Sequence, residues 1–146
     1  MAKDKVLTGA AGAYYVAFRL SELWYAVGLT TYGTRAIDMF VANPETGKSI
    51  TIQTKTMRKA SVPSKTGEPC WNWPVGKSRP KAHETFFYVF VDLKNDPSQT
   101  PDVFIVPSDE LESLLKEFTN WVWCIIEGKN VEKYQNRWGI IKDALA

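Results

Sequence analysis

Histidine and cysteine are nearly missing from this chain: 146 residues contain one histidine, His83, and two cysteines, Cys70 and Cys124. Their positions share no metal-ligand spacing, which argues against a cysteine–histidine zinc site, and two free thiols are expected. Long apolar runs are missing too. Polar residues interrupt each run before it could span a membrane, and the opening MAKDKVLTG lacks the apolar centre of a signal peptide. A cytoplasmic protein with no membrane association is the expectation. Acid is scarce in one region. From Lys48 to His83 eight basic residues (Lys48, Lys55, Arg58, Lys59, Lys65, Lys77, Arg79 and Lys81) stand against Glu68 alone. That segment is +7, and because the whole chain is +2 the remainder is −5. Such a segment is the usual footprint of a polyanion partner. On charge alone, a lysine-rich loop that is merely solvated fits equally well.

What is present is ordinary for a globular domain. Hydrophobic residues make up 45% and charged residues 23%, enough to build one core, so a single domain over residues 1–146 is expected. Ala13, Ala17, Leu20, Trp24 and Val27 recur at helical spacing and predict a helix from about Thr8 to Val27, stopped at Gly28. Thr34 to Ala42 alternates as a strand, and the turn residues of NPETGK lead into a second. The two predict an antiparallel hairpin. Prolines and glycines between Met57 and His83 predict a long loop. FFYVFVDL and DVFIVP read as strands buried on both faces. Ser108 is expected to cap a helix carrying Leu111, Leu114, Leu115 and Phe118, and a last helix is expected over about Val131 to Leu145. This order gives an α/β sandwich around a mixed sheet.

One stretch invites a chemical reading. In SITIQTKT, Ile50, Ile52, Thr54 and Thr56 point one way, and Thr51, Gln53 and Lys55 the other. For an isolated strand a solvated face is the commoner explanation. Yet Asp38, the only acid in the hairpin, falls close to a cross-strand neighbour of Gln53. A carboxylate and an amide oxygen suit a hard cation such as Mg²⁺, and a lysine two residues on can serve a water or a charged phosphate. Metal-assisted phosphodiester hydrolysis uses such a set. Trp71 and Trp73 could stack on bases, but packing is the expectation.

Gly9-x-x-Gly12 opening a helix, Asp38 in a strand, the hairpin and Ile52-Gln53-Thr54-Lys55-Thr56 together resemble the PD-(D/E)XK nuclease superfamily. They resemble especially its variants with glutamine before x-Lys, as in Mrr-type restriction enzymes and some group I intron homing endonucleases. Trp73, FFYVFVDL, DVFIVPSDEL and Tyr134-x-x-x-Trp138 extend the likeness to about Leu145. The resemblance implies a restriction-endonuclease-like three-layer sandwich with a mixed central sheet flanked by helices. It implies a DNA endonuclease in which Asp38 and Gln53 hold Mg²⁺ or Mn²⁺ and Lys55 serves the water. Lys48, Arg58, Lys59, Lys65, Lys77, Arg79 and Lys81 would meet DNA, and a homodimer is a common arrangement for so small a chain. One departure stands out: Ala13 occupies the place where many members carry a metal-binding glutamate. Asp38 is then the only anionic ligand, and a non-catalytic nucleic-acid-binding module is the alternative.

Overall fold

The computed structural model describes every residue except Met1, residues 32–36, Ser78 and Lys81, and the side chains of Ala2 and Lys3 are likewise outside the description. Helix α1 (Ala2–Glu22) is followed by strands β1 (Ala26–Leu29), β2 (Met39–Ala42) and β3 (Ser49–Met57). Next come β4 (Ser61–Pro63), β5 (Pro69–Gly76), β6 (Phe86–Asp92) and β7 (Asp102–Pro107). A 3₁₀ helix (Ser108–Leu114), β8 (Leu115–Phe118), β9 (Trp121–Glu127), α2 (Lys129–Tyr134) and α3 (Gly139–Leu145) complete the chain.

The main sheet has five strands in the order β1-β2-β3-β6-β7. It is mixed because β3 and β6 run parallel while its other neighbours are antiparallel. The expected hairpin is there, with Met39 opposite Ile52 and Val41 opposite Ile50. β6 is buried along its whole length, as its continuous apolar run predicts. Phe87, Val89 and Val91 enter one core with Val16 and Leu20 of α1 and Ile141 and Leu145 of α3. Phe86, Tyr88 and Phe90 enter a second core, facing Trp73, Cys124 and Ile126. The mixed central sheet between two layers agrees with the expected fold class. The layer on the second core is mostly a sheet, in the order β4-β5-β9-β8, and only the other face is covered by long helix.

That second sheet corrects the long-loop expectation. Its prolines sit where a ladder can spare an N–H: Pro63 pairs with Pro69 at the strand ends, and Pro74 lies at the register shift against β9. Trp73 is fully buried and donates Nε1–H to the Val91 carbonyl at 2.9 Å, so packing is its role. α1 also begins and ends earlier than its spacing predicts. Trp24 adopts a left-handed φ of 70°, terminates the helix and is 88% exposed, so it belongs to no core, and Gly28 lies inside β1. Ser108 caps nothing; its hydroxyl accepts the His83 N–H and donates to the His83 carbonyl. The helix expected after it is a 3₁₀ turn followed by β8, which pairs with β9, a strand that spacing did not reveal. The terminal helix is broken near Asn136 (φ 53°), which lets Tyr134 enter one core and Trp138 the other. Residues 34–36 of the first expected strand lie outside the described residues.

Candidate active site

Asp38 sits where the chain enters β2, and its backbone is held from both sides. Thr30 donates its N–H to the Asp38 carbonyl (3.0 Å) and its hydroxyl to the Ile37 carbonyl (2.8 Å). Asp38 in turn donates its N–H to the Ile52 carbonyl at 2.8 Å. Continuing the β2–β3 register by one rung would set the Asp38 backbone opposite Gln53. The carboxylate, however, engages the next residue. Its Oδ2 accepts the Thr54 N–H at 2.7 Å and the Thr54 hydroxyl at 3.2 Å. Asp38 thereby closes the β3 edge beyond the end of β2 and fixes the middle residue of Gln53-Thr54-Lys55.

Lys55 lies on the opposite face of β3 from Thr54, half-buried, with Nζ donating to the Val75 carbonyl of β5 at 3.2 Å. Burial pushes its ammonium below the usual lysine value of 10.5, and the nearby Asp38 charge opposes that shift. Other nucleophiles and bases are poorly disposed. Burial raises both thiols and pushes the Tyr88 phenol, the β6 partner of Gln53, up to about 12. Gln53 is half-buried and makes no side-chain hydrogen bond among the described residues.

The Asp38 side opens into a cleft of about 390 Å³ beneath the first half of α1, lined among others by Lys5, Gly9, Ala13, Tyr14, Thr54 and Asp38. Ala13 does face the same space as Asp38. Asp38 and Gln53 have the oxygen chemistry for a hard cation, but Gln53 shares the Lys55 face of β3 and does not line this cleft, and among the described residues no group of three or more acidic, histidine or cysteine side chains converges. Such an ion would keep most of its coordination for water and phosphate.

The expected basic contacts are dispersed. Lys48 lies just before β3, roughly 20 Å along the chain from Thr54. Arg58 Nε is bound to the Thr8 hydroxyl (2.9 Å), and Arg79 is paired with Glu112 (2.7 Å). Lys59 lines a separate cleft with Trp71 and Asp92, and Lys65 is in the β4–β5 turn. Lys77 is exposed and lies two residues beyond Val75, whose carbonyl accepts the Lys55 bond. Lys81 lies outside the described residues. Two side chains escaped the sequence reading: Thr54, whose signal was a hydroxyl on the strand face it shares with Ile50 and Ile52, and Lys5, which is distant in sequence.

No protein-family model matches the chain, and no curated protein matches it by sequence. A solved structure does. It is that of a bacterial homing endonuclease, with a TM-score of 0.61 over 94% of this chain and 92% of that one. At 15% identity the likeness is one of fold. The chain has a nuclease-like fold. No helix among its described residues is long and apolar enough to cross a membrane.

Proposed function

We propose that this protein is a metal-dependent DNA endonuclease of the PD-(D/E)XK type, hydrolysing phosphodiester bonds at Asp38, Gln53 and Lys55. The observation that carries the reading is a half-buried lysine of lowered pKa beside a carboxylate that grips the intervening Thr54. The shared fold of a homing endonuclease supports it. Lys55, whose burial favours the neutral amine more than an exposed lysine's setting does, takes a proton from the attacking water. The resulting ammonium then faces the negative charge that develops on the phosphate. Asp38 and Gln53 would hold Mg²⁺ or Mn²⁺, which when bound neutralises phosphate charge and acidifies its bound water. Lys5 in the cleft and Lys77 beyond Val75 are the basic residues placed to hold the DNA backbone.

A second reading, a DNA-binding module without catalysis, draws on Ala13 standing in the cleft where a further carboxylate would strengthen the metal site. One paired measurement separates the two: DNA binding and DNA cleavage with Mg²⁺ or Mn²⁺ on the same duplex. Cleavage supports the enzyme. Binding that weakens steeply with salt, as counterion release requires, but without cleavage supports the module. No binding at low salt contradicts both.

A further inference from the structure

The main sheet is packed unequally on its two faces. On the helix side the core takes in or touches residues of all five strands. On the other side it draws on β6 and β7, with only Met57 of β3 packed against it. Among the described residues no core lies over β1, β2 or the start of β3 on that second face. The side chains there are small or polar: Gly28, Ala42, Ser49, Thr51 and Gln53. Phe40 is the exception. It stands between Gly28 and Thr51 and is 53% exposed. A Cβ at Gly28 would meet nothing within 4 Å, so the space beside the ring is open. A single exposed aromatic is common; the position of this one is not. Thr51 and Lys55 share the face four residues apart, which sets Phe40 about 14 Å from Lys55. That is about four nucleotide steps along one DNA strand. The three strands carry one charged residue, Lys55, and no acid, and the neighbouring Asp38 carboxylate is turned to Thr54. A polyanion laid on this face meets a cation and no facing carboxylate.

We infer that this bare face lies against DNA and that Phe40 inserts its ring at a base step a few nucleotides from the phosphate that Lys55 serves. The inference rests on the endonuclease reading proposed above and adds to it a residue that distorts the substrate. Strands of a sheet can enter a DNA groove, and apolar wedges pushed between base steps unstack and kink the duplex. A flat ring suits this because every base has a π face to stack on. The small residues around Phe40 let a groove approach closely, and β2 is paired on both sides, so the ring stands on a fixed backbone. Insertion costs the stacking of the step it opens. That cost is least where the step is already weakened, as at a mismatched pair.

Fluorescence anisotropy of two labelled duplexes tests it, one fully paired and one with a central T·T mismatch, at low salt and without divalent cation so that neither is cut. The unmodified full-length chain should bind the mismatched duplex about fivefold or more tightly than the paired one. Phe40→Ala should weaken binding to the mismatched duplex about tenfold and bind the two alike, with unchanged far-ultraviolet circular dichroism. Phe40→Trp should keep the preference, since its larger ring stacks as well. Phe118→Ala removes an equally exposed aromatic from β8 of the other sheet and should change neither affinity. Should Phe40→Ala unfold, Phe40→Thr, which keeps a strand-forming residue, is read in the same way. An unmodified protein that binds both duplexes equally, or a Phe40→Ala protein that keeps the preference, overturns the wedge and leaves the endonuclease reading standing. An unmodified protein that binds neither duplex overturns both.

Discussion

Lys55 ties the proposed chemistry to a measurable pH dependence. Its folded-state pKa is below 10.5, so the native state releases this proton at lower pH than the unfolded chain does. Stability contributed by this group is therefore least at neutral pH, rises as pH climbs through the folded pKa, and is complete above 10.5. Lys55→Met should lack that rise in urea titrations across the range, and it should lower cleavage about a hundredfold or more. A parallel pH dependence of stability in the two proteins would contradict the assigned environment. Asp92 shows what a structural carboxylate looks like by comparison. It is buried and accepts the Ala60 and Lys94 N–H groups and Trp71 Nε1–H, at 2.9–3.2 Å. Asp92→Ala orphans three donors and should cost about 2–4 kcal/mol by chemical denaturation. Asp38 differs from Asp92 in being only partly buried.

At the scale of elements, the crossing of α1 over β3 sets the site. A Cβ at Gly12 would meet the Thr56 side chain, with its Cβ and Cγ2 at 2.7 and 2.8 Å, so the helix can approach only at glycine. Gly12→Ala should destabilise by about 1–3 kcal/mol, measured by thermal unfolding, and by pushing α1 away should widen the cleft that holds Ala13. Ala13→Glu is the complementary change. It adds a carboxylate on the side of Asp38 and should tighten Mg²⁺ binding several-fold by calorimetry; lost stability with no gain in affinity would show that the position only packs. Alternation made β3 and the hairpin legible in the sequence, and a continuous apolar run did so for β6, because both patterns are local. The second sheet was not, because Pro63, Pro69 and Pro74 disguise β4 and β5, and β8 turns into β9 through Thr119 and Asn120, both at positive φ, without glycine. Of the site, Asp38, Gln53 and Lys55 were readable as a pattern. The bond from Asp38 to Thr54 was not, since it depends on how the chain enters β2.

Across the whole molecule, two cores share one sheet. β6 supplies both, and the proposed site lies at β3, the strand parallel to it, where β1 and β2 end and α1 overhangs. Charge is less concentrated than the sequence suggests, because the basic segment is folded into β3, β4, β5 and their turns and is spread along them. Salt-dependent DNA binding should therefore lose more affinity from Lys5→Ala with Lys77→Ala than from Lys48→Ala with Lys65→Ala. The most direct test of the account is single-turnover cleavage of duplex DNA with Mn²⁺ by the unmodified protein and by Asp38→Asn, which keeps an acceptor for the Thr54 N–H but loses the charge. The account predicts cleavage by the first and none by the second, with both folded; no cleavage by either, or equal cleavage by both, would contradict it.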